Sequence, residues 1–289
     1  MNIIKKIKKR LDESDINLFQ LCWSHYIAKK RIRRSGRYNF FKSLYVNLCL
    51  MPLRDALKLP ILIYGKCTLY ELGGRVRFNV PVKKGLLKIG QMDPVRSYYS
   101  KSFLSIQGEL VVGANVTLRR GINIQILKDA CVNLDNYVYI GDNCTIISRN
   151  KIHLGIGTRV GNNTTFMDTD FHFIINTETK QVKNNVKPIY IGDYNWIGGN
   201  CIIKKGTKTP KGTILAGPYS MISKDYSNRI PEYSIIAGSP AKLLCENYRR
   251  INNNPIESKL WEVFKTGKDV YTFDENLSID SICLPQANM

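Results

Sequence analysis

A six-residue beat constrains this chain more than any other feature. Aliphatic residues recur at Ile140, Ile146 and Ile152, restart at Leu154, and continue through Val160 and Phe166 to His172. The beat resumes at Ile191, Ile197, Ile203, Thr209, Leu215 and Met221. A fixed short period is the signature of a repeat architecture and takes precedence over element-by-element reading.

The repeating unit reads aliphatic, small or Gly, two polar, small, any. Val112-Gly-Ala-Asn-Val-Thr, Ile140-Gly-Asp-Asn-Cys-Thr, Val160-Gly-Asn-Asn-Thr-Thr and Ile197-Gly-Gly-Asn-Cys-Ile all fit it. Three such hexads make one triangular coil. The aliphatic residue points inward and stacks on its equivalents above and below. Gly and Asn are expected at the corners, where the backbone turns through positive φ. Each coil then pairs only with its neighbours. Cys144 and Cys201 fall on the small inward position, so they read as core residues and not as nucleophiles.

Three parts follow. Residues 1–60 read as a basic, mostly helical segment. Residues 61–103 read as irregular strands leading into the regular region. Residues 104–245 carry the repeats, interrupted by an excursion over 173–188. Residues 246–289 lose the beat, with helical spacing over Glu257 to Lys265 and an irregular tail.

Charge adds a second constraint. The chain holds 43 Lys+Arg against 23 Asp+Glu, a net +20. Residues 1–60 alone supply +10 of this, from 14 basic and 4 acidic residues. Such a balance favours anionic partners. Met1–Leu11 places Ile3, Ile4, Ile7 and Leu11 on one helical face with lysines around the other, a pattern that can lie on an anionic membrane surface. The early apolar run is too short and too charged for a secretion signal. No run approaches the ~18 apolar residues of a spanning helix. The eight cysteines contain no CxxC pair, against metal fingers and redox dithiols. A cytoplasmic protein that touches the inner membrane face is expected.

Histidine is scarce: His25, His153 and His172. The first two read as surface or packing residues. His172 ends a run of hexads where a loop leaves the scaffold, a usual place for a site. Asp168, Asp170 and His172 alternate, so on an extended segment they would share a face. A carboxylate beside an imidazole fixes its tautomer and stabilises its charged form. His172 would then be a usable general base.

These residues resemble the hexapeptide-repeat acyltransferases, whose fold is a left-handed parallel β-helix. Asp168-Thr-Asp-Phe-His172 resembles the branch that acetylates capsule, O-antigen and other surface glycans. Ile191-Gly-Asp-Tyr-Asn-Trp-Ile-Gly-Gly-Asn200 resembles the family's Trp-Ile-Gly coil. Ile235-Ile-Ala-Gly-Ser-Pro-Ala-Lys-Leu243 resembles its coil-terminating Gly-x-Pro-Ala-Lys segment. The resemblance implies an acetyl-CoA-dependent O-acetyltransferase without a metal, in which His172 takes a proton from a sugar hydroxyl that attacks the thioester. It further implies that Trp196 lines the pantetheine channel, that Gly198 and Gly199 supply oxyanion donors, and that Ala216, Gly217, Lys224 and Lys242 lie toward the nucleotide end. Lys204 and Lys205 are weaker candidates there.

A homotrimer with sites between subunits is implied too, as is a carbohydrate acceptor, lipid-linked or anionic. Two departures stand out: Thr209-Pro210 replaces an aliphatic-Gly start, and Ala216-Gly-Pro-Tyr-Ser-Met-Ile carries one extra residue.

Other readings remain open at this stage. The acceptor could be an amino sugar, serine or a xenobiotic. A zinc-dependent carbonic anhydrase on the same scaffold needs three histidines, and His25 precedes the helix. A non-enzymatic polyanion binder is permitted by charge, but no nucleic-acid module is present and nucleic acid is not expected as a partner.

Overall fold

The computed structural model describes residues 37–92 and 100–284. The amphipathic Met1–Leu11 segment and His25 lie outside them. The short strands stack into three parallel sheets that form the sides of a β-helix. The first side contains β1 (Ile61–Ile63), β4 (Leu87–Gln91), β7 (Val116–Arg119), β10 (Tyr139–Ile140), β13 (Arg159–Val160), β16 (Trp196–Ile197), β18 (Ile214–Ala216) and β20 (Ile235–Gly238). The second contains β2 (Cys67–Leu69), β5 (Ser102–Ile106), β8 (Asn123–Ile126), β11 (Thr145–Ser148), β14 (Thr165–Met167), β17 (Ile202–Lys204) and β19 (Met221–Ile222). The third contains β3 (Arg75–Phe78), β6 (Glu109–Val112), β9 (Cys131–Leu134), β12 (Lys151–Leu154) and β15 (Ile189–Ile191). The fold is mainly β, a parallel β-helix of hexapeptide repeats, as expected.

The helix begins earlier than the hexads do. β1 pairs with β4 and β4 with β7 in parallel register, so residues 61–91 already form coils and do not merely lead into them. Coil length also varies. Ile140 pairs with Val160, a coil of 20 residues, whereas Ile197 pairs with Leu215, one of 18. Three bare hexads therefore describe only the later coil. The longer coil hid the early ones from a fixed six-residue count.

The inward beat is the core. Ile140, Ile146, Ile152, Leu154, Val160, Phe166, Ile197, Ile203 and Leu215 are all at most 2% exposed. The beat slips once: Ile203 pairs with Ile222, not Met221, because the extra residue near Pro218 lengthens that turn. Thr209 keeps its inward position by bonding: its Oγ1 donates to Asn195 Oδ1 at 2.8 Å. Cys144 and Cys201 are buried as expected, and burial pushes the Cys144 thiol up to about 12, far from a usable thiolate.

The corner chemistry divides differently from the expectation. Asn115, Asn143, Asn163 and Asn200 take φ of 55 to 58°, as turn residues should. The second-position glycines Gly113, Gly141, Gly161 and Gly198 do not adopt positive φ. Their requirement is space: a Cβ on Gly161 would stand 2.5 Å from the Gly199 backbone nitrogen of the next coil. Gly161→Ala should therefore destabilise the protein by about 1–3 kcal/mol, read as a lower melting temperature. An unchanged melt would show that the coils have slack there.

Helices close the ends. α1 (Phe40–Leu50) is capped by Asn39, whose side chain accepts from Lys42 N at 3.0 Å. It buries Val46 and Leu50 on the first coil. There, Asn47 exchanges hydrogen bonds with the Ile61 backbone and the Ser43 hydroxyl accepts from Ile63 N. Pro52 opens the short α2 (Leu53–Ala56). At the other end, β21 (Ala241–Cys245) turns back antiparallel on β20 and ends the coiling at the Gly-Ser-Pro-Ala-Lys segment. α3 (Asn254–Phe264) matches the expected C-terminal helix. The rest of the described tail is less irregular than expected: α4 (Ile279–Cys283) docks back through Arg249–Asp280. Among the described residues, no helix is long and apolar enough to cross a membrane.

Candidate active site

His172 stands, exposed, at the corner between the second and third sides, where the excursion leaves β14. The excursion is a tied loop. Lys187 N donates to Asp168 O at 3.0 Å and Asp170 N to Asn185 O at 2.9 Å, and a further bridge joins Ile175 to Val182. Beneath it opens a cavity of about 690 Å³ lined by His172, Asp170, Asn176, Lys183, Asn185 and Lys205, among others. Residues 171–184 are all exposed, including the apolar Phe173, Ile174 and Ile175.

The two aspartates do not do what alternation suggested. Phe171 takes φ +60°, which turns the chain and removes the common face. Asp168 is wholly buried and its carboxylate is fully used elsewhere. It accepts from Ser148 Oγ at 2.7 Å, Arg149 N at 2.8 Å and Asn150 N at 3.0 Å. It anchors the base of the loop to the preceding coil. Asp170 is held by Lys205 at 2.7 Å and Lys204 at 3.4 Å. Neither carboxylate meets the His172 ring. Only the backbone links them, through His172 N to Asp170 O at 2.7 Å.

Lys204 and Lys205 were expected near the coenzyme. They serve first as loop anchors, which local spacing could not reveal because β17 lies 32 or more residues after Asp170. The hydrogen bond from Lys205, reinforced by both lysine charges, holds the Asp170 carboxyl below its ordinary range. A depressed carboxyl contributes stability above the ordinary carboxylate pKa and loses it as pH falls through the lowered value. The loop tie should thus stay intact between about pH 5 and 8, and protease resistance of the 173–188 loop should drop only below about pH 4. Loss of protection already at pH 6 would show that another group holds it.

The remaining candidates sit elsewhere on the prism. Trp196 is 41% exposed on the first side. Gly198 and Gly199 follow at the corner between the first and second sides, and Ala216 and Gly217 lie above them on the next coil. Lys242 pairs with Ala237 near the same corner. The Gly198 N–H is committed to the Leu215 carbonyl at 2.8 Å, so it is not a free oxyanion donor. Lys224 is exposed at the His172 corner, its carbonyl accepting from Lys208 N. The second side separates the two corners by about five extended residues, roughly 16 Å. Within one chain, therefore, the Trp196–Gly199 wall and His172 do not meet.

Sequence reading passed over one imidazole–carboxylate pair. His153 Nε2 lies 2.8 Å from Asp135 Oδ2, with the Tyr190 ring edge-on. The pair joins adjacent coils on the third side, and no periodicity signals it.

No family model matches the chain. Its middle is 28% identical over 147 residues to an uncharacterised 24.8 kDa protein of the cps region of Klebsiella pneumoniae, covering 50% of this chain and 62% of that one. It is 24% identical over 169 residues to WbbJ of Escherichia coli K12, a candidate lipopolysaccharide biosynthesis O-acetyl transferase, covering 55% and 80%. Over its repeat region the chain is thus similar to O-acetyltransferases. Among solved structures, the polySia-specific acetyltransferase NeuO aligns over 68% of this chain and 99% of its own, at 20% identity and a TM-score of 0.45. The chain spans under two thirds of the Klebsiella relative's length.

Proposed function

We propose that this protein is an acetyl-CoA-dependent O-acetyltransferase that modifies a hydroxyl of a bacterial surface glycan, of capsule or O-antigen type, or its precursor. The observation that carries this is His172, exposed at the mouth of a large cavity on a rigid coil corner. The cps-region and lipopolysaccharide names of the relatives support the acceptor class. His172 would accept the hydroxyl proton as the sugar oxygen attacks the thioester carbonyl. The tetrahedral intermediate collapses to an acetyl ester, and the proton passes to the departing coenzyme A thiolate. Asp168 and Asp170 act through the loop, as positioning residues.

Coenzyme A supplies an activated acyl group. Trp196 would line its pantetheine arm, Ala216, Gly217 and Lys242 would lie further along that wall, and Lys224 stands at the other corner. Gly199 is the remaining candidate oxyanion donor. Because His172 and this wall lie on separate corners, the working site is proposed to combine one copy's His172 with a second copy's wall, in a trimer. The basic N-terminal segment suits a position at the inner membrane face.

Wild-type protein incubated with acetyl-CoA and a panel of surface-type oligosaccharides should yield singly acetylated sugar, detected by mass. Acetylation confined to amines, or to none of the sugars, would overturn the reading.

A further inference from the structure

A second feature of the first side runs up to Trp196 and has, apart from that residue, no part in the proposed chemistry. Lys88, Thr117, Tyr139, Arg159 and Trp196 stand in register on successive strands. Along the first four, the chain after β21 roofs a groove of about 650 Å³, to which Lys83, Asn115 and Asn252 add polar atoms. Among the described residues, no acidic one lines it. Arg159 lies over the Tyr139 ring at 5.4 Å and Arg250 over the Trp196 ring at 5.5 Å. Both guanidiniums border one narrow cleft with Trp196.

This arrangement leaves positive charge unanswered. Burial disfavours the charged form of Arg159, and burial and then Arg159 itself do so for Arg250. Among the described residues, Glu257 on α3 is the one acid acting on both, and it stands 3.9 Å from Arg250. Arg159, Lys83 and Lys88 make no ion pair among the described residues. Part-buried cations with few acid partners gain from an anionic ligand that replaces lost hydration. The span decides the ligand's size: Lys88 and Arg159 are three strand steps apart, about 14 Å. A single small anion cannot touch both ends, whereas an extended chain with repeated charges can. Tyr137 and Tyr139 offer flat apolar faces between the cations.

We propose that this groove binds an acidic glycan chain, and hence that the acceptor is an anionic polysaccharide segment led toward Trp196. The proposal rests on the glycan reading of the acceptor and adds its charge and its track. Arg159 is the neighbour of Trp196 in register, so a chain held by Lys88 and Arg159 ends beside the wall where the acetyl group would be delivered.

The test measures direct binding of hexagalacturonic acid and neutral maltohexaose to the whole protein. The acidic hexamer should bind at least about tenfold tighter, with an advantage that shrinks as salt rises. Arg159→Gln and Lys88→Gln should each weaken its binding about tenfold without affecting maltohexaose. Arg159→Lys should restore most of it, with melting temperatures confirming that all variants fold. Equal affinity for the two hexamers, or variants that bind like wild type, would overturn the proposal. So would a single-stranded DNA decamer that binds as tightly with the same variant dependence, which would assign the groove to nucleic acid. Selective acidic binding without acetyl transfer would leave the groove standing and discard the transferase reading. Transfer without selective acidic binding would do the reverse.

Discussion

His172→Ala should lower acetyl transfer by about a hundredfold to ten-thousandfold in kcat, the usual contribution of a positioned general base. His172 is exposed and its ring packs in no core, so the melting temperature should stay within the change typical of a surface substitution. Binding of acetyl-CoA should persist, because the proposed coenzyme wall lies on a different corner. The measurement is steady-state transfer to an accepted glycan, beside a thermal melt. Near-normal kcat in a well-folded variant would remove His172 from the chemistry. The half-buried His153, paired with Asp135 on the third side, would then be the next base to test.

Asp168→Ala should have the largest effect on stability among the site residues. Its carboxylate accepts three hydrogen bonds at full burial, from one hydroxyl and two backbone N–H groups. Truncation leaves all three donors without their partner, where hydrogen bonds to a charged group contribute about 1.5–3 kcal/mol each. A loss of about 3 kcal/mol or more is expected, read from chemical denaturation. The 173–188 loop should become the first site of proteolysis, and transfer should fall because His172 is no longer held. A variant as stable as wild type would mean that the Ser148–Asn150 turn finds other acceptors. Activity lost with stability intact would instead give Asp168 a direct role.

The contrast between these two residues shows what the sequence could and could not convey. Inward positions were legible because a β-helix repeats one environment: each aliphatic residue stacks on its counterpart, so burial returns at a fixed interval. Ile146, Phe166 and Ile203 follow directly from that. The interval failed where a turn gained a residue, which moved the core position to Ile222. It also concealed the first coils, whose lengths differ.

Roles within the site were less legible, because they depend on pairs made across coils. Asp168 meets Ser148 one coil below, and Asp170 meets Lys205 one coil above. Local alternation put both carboxylates beside His172, but one left-handed residue, Phe171, redirected the chain. The glycines followed a similar pattern. Their position was predicted, yet the cause at Gly161 is the backbone of the next coil and not a positive φ. The groove over Tyr139 and Arg159 depends on a tail from beyond β21 and leaves no mark in the repeat.

The central claim is that His172 of one copy works against the Trp196–Gly199 wall of another. Mixing two inactive variants tests it most directly. His172→Ala and Trp196→Ala proteins are each assayed alone, then unfolded together, refolded and assayed as a mixture. Random assembly in a cyclic oligomer should restore roughly a quarter of wild-type transfer, the share of interfaces with both groups intact. A mixture no more active than its parents would contradict the account and return the whole site to a single chain.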